Sequence, residues 1–418
     1  MKRVLLIAAL GAATLALVGL FAFRSGSAVL GDNRTVIRYA HYQGMPSLVR
    51  AIDLAMRDYE ALHPDVRLEQ ILVPDRIWRQ WLQSQMIGGT PPDLVEIAAA
   101  MPIDQLAQHF TPLTEWIDAP NPYNAGSPIE GLAWKDTFLD GLATSPSYNA
   151  ALGQVLGVPK SAVIIRVLLN RALLRELAGD DRVPTTYAEM IDLCRRVQTW
   201  SREQGRYVAP LAVSKFNVPY NLYSLFSAQT QKRALEINPH LNLRLNHRML
   251  AQEYLRGHWT LRDEAVLSGF EIMREFGQMF TPGFLQLERE DAMFQFLQGR
   301  ALMMTIGSFA ASTTIQEAPF EIGVFRLPLP SPDDPRYGRH VLGLASEASR
   351  GLEGTTGLAR ASPNKAKAID FLHFLTSHAQ AQKFTANSGF VPAVVQVEPD
   401  PLIAEFVAHV DGPPDGFR

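Results

Sequence analysis

The sequence predicts an α/β protein whose parallel sheets are covered by helices, divided into more than one compact unit. Three observations predict it. Strand-like and helix-like runs alternate near the start of the chain, the alternation resumes after residue 162, and 418 residues exceed what one core usually organises, at roughly 100–200 residues per domain.

The first run, Thr35 to Tyr42, reads TVIRYAHY and lies between Asp32-Asn33 and a loop with Gly44 and Pro46, as a strand should. Leu48, Ile52, Met56, Tyr59 and Leu62 then recur every three or four residues, which places them on one face of a helix that Pro64 stops. A second strand follows over Val66 to Val73, a second helix face at Trp78, Leu82 and Met86, and a third strand over Asp93 to Ile97. This βαβαβ order implies a parallel sheet with helices on its faces. Later, Ala162 to Leu169 reads as a buried strand, Tyr187 to Thr199 as a helix and Ala301 to Ile306 as a short apolar strand. Near the end, Ser362 is expected to cap a helix that starts at Pro363, carries Ile369, Leu372 and Leu375 inward, and stops near Gly389. The Pro/Gly/Asp-rich stretches at 119–131 and 328–338 read as surface loops rather than interdomain linkers.

Composition narrows the class. Apolar residues make up 47% and charged residues 19%, enough for a packed core without staples. The net charge of -3 supplies no broad cationic field, so nucleic acid is not an expected partner. Lys2 and Arg3 precede an uncharged run from Val4 to Phe23, and Ser25, Gly26, Ser27 and Ala28 follow, the pattern of an export signal. The run exceeds the ~7–15 residues usual for a signal peptide and approaches the ~20 that span a bilayer. Residues 1–28 therefore read either as a cleaved signal peptide or as a retained N-terminal membrane anchor. In both cases the positive flank stays inside and the rest is sent outward, giving a periplasmic protein that is free or tethered to the inner membrane. The only cysteine, Cys194, shares an apolar stripe with Leu193 and Val197 and reads as core; it permits no intramolecular disulfide.

Catalytic signatures are missing from the sequence: there is no G-x-S-x-G elbow, no phosphate loop and no H-E-x-x-H. His373 and His378 are five apart and share no ligand face. No catalytic residue, metal or cofactor is expected, and the acidic cluster Glu288, Glu290 and Asp291 reads as a solvated helix start rather than a glycosidase pair.

Four segments carry a family resemblance. They are the opening strand and helix followed by HPDVRLEQI; MIGGTPPDLVEI; GVPKSAVIIRVLLNRALL with VPTTYAEMIDLC; and FLQGRALMMTIGSF with GLARASPNKAKAIDFLHFLTS. In order and spacing the chain resembles the carbohydrate-binding group of extracellular solute-binding proteins of ABC importers, the group of maltose-binding protein. It departs from that pattern at Tyr187, where the group has tryptophan, and at Leu168 and Leu169, where it has aromatic residues.

The resemblance implies a two-lobed periplasmic-binding-protein fold, each lobe a mostly parallel sheet flanked by helices, joined by hinge crossings. By position the crossings fall near Ser161–Ile164, Thr305–Gly307 and Gly343–Gly357. Lobe one then comprises 35–161 plus 306–344, and lobe two 162–305 plus 345–418. The implied function is capture of a sugar or oligosaccharide by a monomeric, non-enzymatic receptor that delivers it to ABC permease subunits in the inner membrane. Two other readings stay open, an exported carbohydrate-active enzyme and a solute receptor for a membrane sensor.

A sugar presents hydroxyls that need directional partners and a C–H face that packs on a flat ring, and open α/β sheets place such groups at the carboxyl ends of their strands. Tyr42 and Gln43 end the first strand, and Asp75, Arg76 and Trp78 follow the second. Asp75 can instead cap its helix, and Trp78 can be core with Leu82. Lys160 and Ser161 sit at the first crossing, facing the cleft or forming a solvated turn. Phe309 stands where the resemblance places a stacking aromatic. Phe216, Asn217, Tyr220 and Tyr223 form either a stacking wall or a packing cluster. At the last crossing Glu353, Gly354, Thr355 and Thr356 offer backbone and hydroxyl groups, with glycine permitting close approach.

Overall fold

The computed structural model describes residues 33–97, 103–143, 148–149, 152–239, 242–348 and 352–417, so the predicted export segment lies outside the described residues. The strands, in chain order, are β1 (Thr35–His41), β2 (Val66–Leu72), β3 (Leu94–Glu96), β4 (Tyr148–Asn149), β5 (Gln154–Val155), β6 (Ser161–Ala162) and β7 (Ile165–Asn170). Then come β8 (Ala209–Ala212), β9 (Ala301–Gly307), β10 (Ile322–Phe325), β11 (Leu352–Glu353), β12 (Thr356–Leu358) and β13 (Val391–Pro392). Among the described residues no helix is long and apolar enough to cross a membrane.

The first sheet has the order β12-β3-β1-β2. β1 pairs in parallel with both β2 and β3, and only the edge strand β12 runs against them. Helix Pro46–Leu62 buries Leu48, Ile52, Met56 and Tyr59 as the periodicity predicts, whereas Leu62, expected on that face, is exposed in its last turn. Helix Asp75–Ile87 buries Trp78, Leu82 and Met86.

The second sheet has the order β10-β7-β9-β8. The expectation of a mostly parallel sheet holds for the first lobe; in the second, only β8 and β9 are parallel, and β7 lies antiparallel between β9 and β10. β7 is the strand that enters this lobe directly from a crossing, and it runs opposite to the strands that the lobe's own helices join. Helix Tyr187–Glu203 starts at a capping box of Thr186 and Glu189 and buries Cys194 in this lobe's core, where burial pushes the thiol up.

The lobe boundaries differ from the sequence expectation in the second half of the chain. Residues 306–344 belong with the second lobe, because β10 hydrogen-bonds to β7. Residues 356–392 return to the first, because β12 pairs with β3 and helix Lys365–Leu375 packs against helix Pro46–Leu62. The crossings are β6, β11 and β13, which form a three-stranded antiparallel sheet of their own. The crossings expected near Ser161–Ile164 and Gly343–Gly357 contain β6 and β11. The one expected at Thr305–Gly307 is instead the buried end of β9, inside the second sheet. An apolar strand ended by glycine looks the same whether it leaves the lobe or stops at its edge. The third crossing, at β13, had no distinguishing local pattern.

The last helical segment is also divided. Ser362 is not the cap residue: its Oγ donates to Asp93 Oδ1 at 2.6 Å and accepts from the Asn364 backbone N–H at 3.0 Å, and Asn364 stands at the N-cap of a helix that runs Lys365–Leu375; Ser377 caps a second helix, His378–Ser388, ended by Gly389 in the left-handed region. The final residues, 401–417, then lie back on lobe two.

Where the segment after β5 passes β12, Val158 and Thr356 exchange backbone hydrogen bonds. A Cβ on Gly157 would stand 2.7 Å from the Thr356 carbonyl oxygen, with backbone on the other side of the contact. Gly157→Ala is therefore expected to cost about 1–3 kcal/mol of stability; an unshifted denaturation midpoint would mean that the close approach relaxes freely.

Candidate functional site

A cleft of about 670 Å³ separates the lobes. On the lobe-one side it is lined by Tyr42 to Met45, which follow β1, and by Asp75, which opens the helix after β2. On the lobe-two side Phe216, Asn217 and Tyr220 follow β8, Met304 to Gly307 end β9, and Phe309 lies in the first turn of the next helix. Arg289, Glu290 and Met293 complete this wall, and Val163 and Phe390 reach the cleft from the crossings. Both sheets thus turn the carboxyl ends of co-directional strands to one space, the arrangement in which α/β sheets place ligand-contacting loops.

Seven of the sequence candidates line the cleft: Tyr42, Gln43, Asp75, Phe216, Asn217, Tyr220 and Phe309. Tyr42 is half-buried, its ring 5.6 Å from that of Trp78. Gln43 Nε2 donates to Glu96 Oε1 at 2.7 Å, while its Oε1 is buried with no hydrogen-bond partner among the described residues. Asp75 is exposed, and it does not cap its helix; the cap residue is Pro74. Phe216 is 46% exposed and meets Tyr220 edge-on at 5.9 Å. Asn217 is nearly used up structurally: its Oδ1 accepts from the Ser214 backbone N–H at 2.7 Å and its Nδ2 donates to the Thr305 carbonyl at 3.1 Å. It holds the loop that carries Phe216 onto the end of β9.

The other candidates lie elsewhere. Arg76 and Tyr223 are exposed and outside the lining. Trp78 is 3% exposed and stacked on Trp81 at 5.4 Å in the core with Leu82, so the packing reading holds. Lys160 is neither a cleft residue nor a solvated turn: buried, it pairs with Glu96 Oε2 at 3.1 Å and donates to the Gly354 carbonyl at 3.1 Å. Burial works against its charge, but the Glu96 carboxylate and the Tyr39 ring beneath it more than compensate and hold the ammonium charged. Gly354 has φ +63°, and a Cβ there would collide with the Lys160 side chain, so the backbone conformation and the buried lysine both favour glycine. Ser161 and Thr355 are buried beside it, their hydroxyl oxygens without hydrogen-bond partners among the described residues. Next to this network burial and the Lys160 charge depress His41 to about 3, so its imidazole is neutral at physiological pH.

Arg289 was missed by the sequence reading. Glu288 and Asp291 do form a capping box at the start of helix Arg289–Leu297, as a solvated helix start should. That local reading could not reveal that Arg289 and Glu290, between them, face the cleft.

Residues 55–409 match the family described as bacterial extracellular solute-binding protein. Putative binding proteins of Brucella abortus (strain 2308) and Brucella suis biovar 1 (strain 1330) are each 25% identical over 340 residues, covering 80% of this chain and 70% of theirs. Among solved structures, the apo form of RafE from Streptococcus pneumoniae aligns with a TM-score of 0.62 at 18% identity, over 90% of this chain and 85% of that one. A chitin oligosaccharide binding protein aligns at 0.62 and 17%, over 90% and 87%. Maltose-bound MalE3 of T. maritima aligns at 0.58 and 19%, over 89% and 85%. These likenesses establish the fold.

Proposed function

The chain belongs to the bacterial extracellular solute-binding protein family, and from that premise we propose that it captures a sugar or oligosaccharide between its lobes and delivers it to the permease of an ABC importer. The observation that carries this reading is the composition of the cleft. Aromatic rings from lobe two (Phe216, Tyr220 and Phe309) stand across from an amide and a carboxylate from lobe one (Gln43 and Asp75). A pyranose needs both kinds of surface, a flat apolar platform and directional polar partners. The solved structures of RafE in complex with raffinose, of a chitin oligosaccharide binding protein and of maltose-bound MalE3 support the same ligand class.

The three crossing strands are only two residues long each, so bending there disturbs few hydrogen bonds. A ligand that touches both walls only when they approach has a higher affinity for the closed form and shifts the population towards it. The receptor acts in the periplasm as a monomer, free or held by its N-terminal segment, and hands the ligand on without chemistry.

Thermal-shift screening against raffinose, maltotriose and chitotriose tests the ligand class, because a ligand that binds only the folded state raises its stability. Phe309→Ala is expected to weaken the best of these by about ten-fold in calorimetry, equivalent to ~1.4 kcal/mol of lost stacking; unchanged affinity would remove Phe309 from the platform. Labelled oligosaccharide should be retained stoichiometrically, and its turnover would favour the exported-enzyme reading instead.

A further inference from the structure

The aromatic platform of lobe two is already covered by a cation from the same wall. The guanidinium carbon of Arg289 lies 5.5 Å from the Phe216 ring centroid and 5.9 Å from that of Phe309, within cation–π range of both. Its Nε and Nη2 both donate to Glu290 Oε1, at 3.1 and 2.9 Å, so the neighbouring carboxylate latches it in place. All four residues line the cleft.

Physical chemistry explains why such a group rests there. Phe216 remains 46% exposed with Arg289 over one face of its ring, and without that cover still more of it would be wetted apolar surface. A guanidinium is planar and weakly hydrated, so it can lie over a ring at little desolvation cost while its edge keeps hydrogen bonds. The same ring faces are what the C–H face of a sugar requires. One face does not hold both.

We propose that Arg289 is a built-in competitor that covers the aromatic platform of the ligand-free cleft and is displaced when the ligand stacks, so that it sets the affinity a ligand must exceed. Glu290 is its latch. This makes Arg289 a specificity-determining residue: ligands that stack well on Phe216 and Phe309 displace it, and ligands that offer only hydroxyls leave it in place. The alternative role, a donor that binds ligand directly, predicts the opposite sign on removal.

Only the sugar arm of the test rests on the carbohydrate reading. With raffinose, maltotriose and chitotriose as probes, Arg289→Ala is expected to tighten binding of whichever sugar the parent binds by roughly five- to thirty-fold, the combined effect of two exposed cation–π contacts. Glu290→Gln, which loosens the latch, should tighten it by less. Weaker or unchanged binding in Arg289→Ala overturns the proposal. A second arm needs no sugar. With Phe216→Trp as reporter, acrylamide quenching of the added indole should rise when Arg289→Ala uncovers it, and equal quenching with and without Arg289 overturns the proposal. If none of the three sugars binds any variant, the carbohydrate reading suffers alone, because the quenching arm still decides where Arg289 rests.

Discussion

Arg166→Ala is expected to destabilise the protein by about 3–5 kcal/mol, the cost of leaving the buried Glu347 carboxylate with only the longer Arg326 contact, at 3.4 Å, as its ion pair. Arg166 lies on β7 with its side chain almost wholly buried against Glu347. Nη1 and Nη2 grip the two carboxylate oxygens at 2.9 and 3.0 Å. The remaining donors reach the carbonyls of Ile165, Glu405 and Val407 at 2.8, 2.9 and 2.7 Å, so every N–H of the guanidinium is satisfied. Glu347 in turn accepts from the His409 backbone N–H at 2.9 Å. One ion pair therefore ties the segment ahead of the second crossing and the chain end to the second sheet.

The pH dependence has a defined sign. Burial acts to raise the Glu347 carboxyl, but Arg166, joined by the His409 backbone N–H and by Arg326, outweighs it and holds the group below the ordinary carboxylate range. A depressed carboxyl contributes its full stability above the unfolded value of about 4.3, and loses it as pH falls through the folded value. Denaturation midpoints from neutral to acidic pH should fall less in Arg166→Ala than in the parent. Limited proteolysis should also cut the variant within 401–417 first. A midpoint within error of the parent would mean that the tail is held by other contacts, such as the Asp415–Ser227 hydrogen bond and the seat of Phe417 against Trp259.

Lys160→Met should have an effect of similar size, about 3–5 kcal/mol, for the same reason: it leaves Glu96 fully buried with only the Gln43 amide as partner. The double replacement Lys160→Met with Glu96→Leu removes both charges and should recover most of the loss, since well-packed apolar groups can replace a buried pair at little cost. A double-mutant cycle read by chemical denaturation measures this directly. If Lys160→Met alone leaves stability unchanged, the pair does not bind the first crossing to the first sheet. The two cycles probe different joints: Lys160 and Glu96 join β3 to the crossings, whereas Arg166 and Glu347 lock the returning chain onto lobe two.

Much of the cleft was legible beforehand because strand ends are local features. Phe309 was located by the family resemblance, whereas Tyr42 and Gln43 follow an alternating run and Asp75 follows the next, so the rule that ligands lie at carboxyl ends located these three. The same rule misplaced Trp78, because a helical period of three to four residues marks an inward face without saying whether core or cleft lies beyond it. Lys160, Gly354 and Thr355 stand beside the short strands β6 and β11 and outside the lining of the cleft. A lysine beside an apolar run reads as cleft-facing until its carboxylate is known.

From the sequence alone came the α/β class, the helix faces, the core position of Cys194 and the family itself, since all of these rest on periods, caps and motifs spanning a few residues. Tertiary structure alone decided which lobe receives 306–344 and 356–392, and which polar side chains are spent on holding the crossings. Lys160 meets partners 64 and 194 residues away, and Arg166 meets one 181 residues away. Pairings at that separation leave no local pattern, because each partner alone is an ordinary charged residue until the fold removes water from between them.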